Sequence, residues 1–211
     1  MFRLFIGLIA LATSLFLGQQ LLQPENSGAT SGTLPHRQQL QRAAWNSGAW
    51  LIVYLAKGEE EHAAYEKILR PLEEKTFRGI ALKVFAYEKV PDSLLRKYPL
   101  MLIGKKIPPE LSVHLNKLPA VHFDDTEAQI GTLNLDQPKD LLQLTYLPSY
   151  WQDTLPMHLI WGREDALIQT HLTERLSQGI RSFLWSAWGY EVQRSGSVLQ
   201  QGYFNDSTWV M

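Results

Sequence analysis

From residue 50 onward, short apolar runs alternate with longer stretches of mixed polarity. Residues 50–56, WLIVYLA, are continuously apolar and rich in strand formers, the pattern of a strand covered on both faces. Gly58 ends the run. Residues 59–75, EEEHAAYEKILRPLEEK, predict a helix whose acidic first turn suits the helix dipole and which Pro71 ends or kinks. A second strand follows at 80–87 (IALKVFAY), then a short helix from Pro91 to Tyr98, and a third strand at 99–104 (PLMLIG). Residues 108–118, PPELSVHLNKL, open with prolines where a first helical turn tolerates them. Three alternations of strand and helix predict a parallel sheet with crossover helices.

The middle of the chain is less regular. Residues 120–125, 129–135 and 141–147 read as strands, the last two pairing as an antiparallel hairpin, and 157–161 (MHLIW) as a further strand. Residues 164–184 carry Leu167, Ile168, Leu172, Leu176, Ile180, Phe183 and Leu184 at helical spacing and predict one long helix. Residues 190–194 and 198–204 flank Ser195-Gly196-Ser197, a glycine-containing hairpin turn. Trp209, Val210 and Met211 then read as the start of another strand. The expected fold is α/β: a three-layer arrangement around a mostly parallel sheet with crossover helices, plus an antiparallel C-terminal hairpin.

The first residues are of another kind. MFRLFIGLIALATSLFLG holds one positive charge, Arg3, ahead of an apolar run of about 15 residues, which matches a secretory signal sequence. With Leu21 and Leu22 the segment approaches the roughly 20 residues that span a bilayer, so an uncleaved anchor is the alternative. The next stretch, rich in Gln, Ser, Gly, Thr and Pro, cannot bury enough apolar area to offset its ordering entropy. The expected organisation is a signal sequence or membrane anchor over 1–22, a flexible linker over 23–43, and an α/β domain over 44–211 truncated at its C-terminal end. Export to the periplasm, or an outward-facing membrane anchor through residues 4–22, follows from that reading.

Composition narrows the chemistry. Twenty basic and 21 acidic residues nearly cancel and no basic tract stands out, which argues against a nucleic-acid partner. Without cysteine there is no disulfide, thiolate metal site or cysteine nucleophile. HLIWGREDALI, residues 158–168, has the look of the strand and turn that present the triad Asp of an α/β-hydrolase, with Asp165 in that place. No G-x-S-x-G elbow accompanies it, so a degenerate hydrolase-like protein is the weakest alternative and Asp165 reads as a structural turn residue. No H-E-x-x-H pair is present; His62 with Glu66, or His122 with Asp124 and Asp125, falls short of a zinc ligand set. Gly104-Lys105-Lys106 follows a strand but lacks the glycines of a phosphate-binding loop. No catalytic residue, metal ligand or cofactor is expected in this chain.

The strands WLIVYLA and PLMLIG, the segment LLQLTYLPSYWQDTLPMHLIWGRED, and GYEVQRSGSVLQQGYF leading into TWVM together resemble a noncatalytic α/β module. That module stands ahead of gluzincin-type (aminopeptidase N-like) zinc peptidase domains in exported bacterial proteins. The resemblance implies an accessory role beside a downstream or neighbouring peptidase domain, which would hold all the catalytic residues. Docking would then use an apolar patch at Trp185, Trp188 and Trp209. A stand-alone exported ligand-binding protein is the alternative. Its ligand would lie at the C-terminal ends of the parallel strands, near Gly58, Gly104, Gly162 and Asp165.

Overall fold

The computed structural model describes residues 34–124, 127–184 and 188–211. The expected signal sequence or anchor at 1–22 lies outside the described residues, as does the linker up to residue 33. Among the described residues no helix is long and apolar enough to cross a membrane.

The folded unit starts earlier than residue 44, because residues 34–211 form one compact body. Helix α1 (Arg37–Asn46) takes up the last third of the expected linker, residues 37–43. Its Leu40 and Ala44, one helical turn apart, are fully buried, and that apolar contact offsets the ordering entropy of an otherwise polar segment.

The α/β pattern then follows. Strand β1 (Ala49–Tyr54) leads to α2 (Gly58–Leu69), which a 3-10 turn containing Pro71 closes. A two-residue strand, β2 (Thr76–Phe77), turns back into β3 (Ile80–Ala86). Helix α3 (Asp92–Leu95), β4 (Leu100–Gly104) and α4 (Pro109–Leu115) come next. β9 (Pro156–Gly162) completes a parallel centre in the order β3-β1-β4-β9. β1, β4 and β9 are buried at every position, as their unbroken apolar runs require.

Antiparallel strands extend this centre. β8 (Asp140–Pro148) pairs with β9, β10 (Tyr190–Arg194) with β8, and β11 (Ser197–Gly202) with β10, while β2 caps the other edge. The C-terminal hairpin thus forms as expected and joins the main sheet. The expected pairing of 129–135 with 141–147 does not form. Gly131, at a φ of +58°, splits the first of these into β6 (Ala128–Ile130) and β7 (Leu133–Leu135). These make a small antiparallel sheet with β5 (Val121–Phe123), leaving β8 to the main sheet.

Register assigns the two faces. Ile52, Met101 and His158 stand side by side on one face, under α1, α2 and α5 (Asp165–Ser177). Val53, Leu102 and Leu159 share the other, where Phe123 of the small sheet meets Trp161 edge-on. The expected single helix over 164–184 breaks at Gly179, whose φ of +103° leaves helical space, and resumes as α6 (Ile180–Leu184). The expected final strand at Trp209 is a turn instead. Asn205 Oδ1 accepts the backbone N–H groups of Ser207 and Thr208, which turns the chain and drives Trp209 into the core.

Candidate functional site

The chain leaves β1 for β3 on one side and returns to β4 on the other, so the order reverses between β1 and β4. The loops leaving these two strands therefore diverge, and the gap between them is where open α/β sheets bind ligands. A crevice of about 220 Å³ lies there. Leu55 and Ala56 after β1, and Ile107, Pro108 and Pro109 after β4, supply apolar walls. Lys57, Glu61, Tyr87, Glu88, Lys105 and Lys106 supply polar groups.

Gly104 makes this geometry possible. Leu55 N–H donates to the Ile103 carbonyl at 2.8 Å, so the ends of β1 and β4 run in close contact. A Cβ on Gly104 would stand 2.6 Å from Leu55 Cβ. The missing side chain lets the two strand ends meet beneath the crevice.

An ion network stands beside it. Lys105 Nζ lies 3.0 Å from Glu61 Oε1 and is paired also with Asp165 Oδ2. Tyr65 OH donates to Asp165 Oδ1 at 2.9 Å, and Glu61 Oε2 accepts the Lys57 backbone N–H at 2.5 Å. The network ties the loop after β1, the loop after β4 and the start of α5 together. Trp161 Nε1 adds a bond to the Lys105 carbonyl at 3.0 Å.

Every shifted group in this network has its pKa moved farther from pH 7. Hydrogen bonds to Asp165 and Glu61 raise the Lys105 ammonium. The Lys57 backbone N–H, with help from Lys105, lowers the Glu61 carboxyl. Burial, reinforced by the Asp165 charge, pushes the Tyr65 phenol well above its ordinary value. A general acid or base works best with its pKa near the operating pH, and these groups are held in single charge states.

The expected ligand residues frame the crevice without lining it. Gly104 is its floor. Gly58, at a φ of +78°, opens α2 beside Lys57. Gly162 is buried on the far side of β4, where a Cβ would meet Ile168 Cγ1 at 2.9 Å, so its role is seating α5. Asp165 stands behind Lys105 and takes bonds from Tyr65 and Lys105, not from a histidine. Most lining side chains come directly after β1 and Gly104, with Glu61 from α2 and Tyr87 and Glu88 from just after β3; strand order, which a sequence does not display, identifies them.

Of the expected tryptophan patch, Trp209 is drawn into the core. Trp185 lies outside the described residues. Trp188 is half-buried, with its ring 5.2 Å from that of Tyr203. Trp209 is fully buried and donates through Nε1 to the Pro35 carbonyl at 3.3 Å, so it belongs to the domain's own core. His62 pairs with Glu88 at 3.2 Å while Glu66 accepts from Tyr54 OH, so those two do not converge. Among the described residues, no three metal-ligating side chains gather. No family model and no curated protein matches this chain.

Proposed function

We propose that this domain is a noncatalytic recognition module that holds a small ligand in the crevice between the ends of β1 and β4. The observation that carries this reading is the crevice itself, at the point where the strand order reverses, with Gly104 letting its floor close. The fixed charge states of Glu61, Lys105 and Tyr65 support recognition over acid–base chemistry. Amide-resolved NMR titration with a small-molecule fragment collection tests it. Binders should move the amides of residues 55–57 and 104–107, and Ala56→Trp, which fills the crevice, should abolish those shifts while the rest of the spectrum stays native. Binders that consistently mapped elsewhere would refute it.

A second reading, the accessory role beside a zinc peptidase domain, has one observation in its favour. β11 ends the main sheet, carries no charged residue, and exposes Val198 and Leu199. Natural edge strands are usually guarded by charge, proline or cover. Adding a separately purified gluzincin domain encoded nearby should slow hydrogen exchange along β11; unchanged exchange would dismiss this role. Residues 4–22 imply that either encounter takes place outside the cytoplasm.

A further inference from the structure

We infer that the crevice selects small amphipathic anions: an acid group held by Lys57 and Lys106, with an apolar body against Leu55, Ile107 and Pro108. This rests on the ligand-binding reading above and adds the chemical class of the ligand.

The argument turns on which charges around the crevice are already in use. Glu61 gives one oxygen to Lys105 and the other to the Lys57 N–H. Glu88 faces His62 at 3.2 Å, and Asp165, its side chain 10 % exposed, is shared by Tyr65 and Lys105. Tyr87 donates its hydroxyl to Glu110 at 3.1 Å. A cationic ligand would have to compete with Lys105 for Glu61 or Asp165, and at the half-exposed Glu88 would share the carboxylate with His62. Lys57 and Lys106 differ: both line the crevice, both are exposed, and neither ammonium forms an ion pair among the described residues. Their six N–H donors are left to water or to a ligand.

Size and polarity complete the assignment. At about 220 Å³ the crevice is smaller than the pockets of 300–1,000 Å³ that enclose drug-sized molecules, so it suits one ring or a short chain. Leu55, Ala56, Ile107, Pro108 and Pro109 give that body an apolar seat and no backbone N–H from the two prolines. An inorganic anion would leave these walls unused.

Three probes of one shape test the class: phenylacetate, its neutral amide phenylacetamide, and the cation phenethylammonium, each titrated into the full chain and read by NMR. Phenylacetate should shift the amides of residues 55–57 and 104–107 and bind at least fivefold more tightly than the amide, with phenethylammonium weakest. Lys57→Gln with Lys106→Gln should weaken phenylacetate about tenfold and leave phenylacetamide unchanged, as expected for two partly exposed charge contacts. Raising the salt concentration should narrow the gap between acid and amide. Equal affinity for all three, or a preference for the cation, at the same amides would overturn the anion assignment and keep the crevice as a binding site. Shifts confined to other regions, or none from any probe, would overturn both.

Discussion

Gly104 shows how one missing side chain shapes the molecule. Its Cβ position is occupied by Leu55, with the Leu55 carbonyl oxygen 3.0 Å away, so Gly104→Ala must push the ends of β1 and β4 apart. A loss of about 1–3 kcal/mol is expected from such overpacking, measured by urea denaturation, together with loss of ligand-induced shifts at residues 55–57. A variant as stable as the wild type would show that the strand ends can relax. Tyr65→Phe removes a largely buried donor to Asp165 and should cost about 1 kcal/mol by the same assay. Gly104 stood out in the sequence because it ends an apolar run. What it does there did not, since Leu55 is 49 positions away in the chain and only the pairing of β1 with β4 brings it near.

Elements were legible where burial on both faces leaves an unbroken apolar run, as in β1, β4 and β9. Their pairing was illegible where it is decided at long range. β5, β6 and β7 fall in segments that read as strands, but at three residues each they are too short for an alternating pattern to show where they divide or what they pair with. β8 reads as a plain strand but contains a bulge. Its register with β9 slips between Leu144 and Leu147, and Tyr146 takes a φ of +57°. That turns the Tyr146 ring edge-on to His158 at 4.7 Å and under the Arg37 guanidinium at 5.3 Å, beneath α1. The start of β8 is held differently. Asp140 is fully buried and accepts two bonds from Arg194 of β10, at 2.6 and 2.9 Å, and one from the Gln137 N–H at 2.9 Å. Arg194→Ala strands the buried Asp140 carboxylate with only the Gln137 N–H, whereas in Asp140→Ala the more exposed guanidinium can turn to water or Asp136, so the thermal midpoint of Arg194→Ala should fall clearly below that of Asp140→Ala. Equal midpoints would place the value of the pair in the ion pair alone.

For the molecule as a whole, the buried histidines His158 and His171 dominate the response to acid, and His114, also lowered by burial, adds to it. Burial, with the Arg37 charge adding to it, brings His158 down to about 3. Burial, with Arg175 adding to it, brings His171 down to about 4. Neither ring nitrogen of His158 has a hydrogen-bond partner; the Leu184 backbone approaches without making a bond of good geometry. Both groups have folded values below the unfolded value near 6.5, so the unfolded chain binds more protons between the two. Stability should therefore be full above about pH 6.5 and fall as pH drops, by up to about 1.4 kcal/mol per pH unit for each histidine down to about pH 4. Glu61, whose folded value is also depressed, acts in the same direction at lower pH. Urea titrations from pH 7 to 4.5 check this, and His158→Phe should flatten the slope by somewhat under half, His171 and His114 supplying the rest. A wild-type stability independent of pH over that range would contradict the buried, neutral state of these rings.

The two ends of the described domain are tied to each other. Trp209 Nε1 reaches the Pro35 carbonyl, the Arg37 N–H donates to the Asp206 carbonyl at 3.1 Å, and the Gln38 N–H donates to the Asp206 side chain at 3.0 Å. Tension applied between residues 34 and 211 would thus load these few bonds first, peeling α1 and the final turn away before any strand of the sheet is strained. A tether at either end would pull first on this clasp and its buried Trp209 anchor, away from the crevice on the parallel strands.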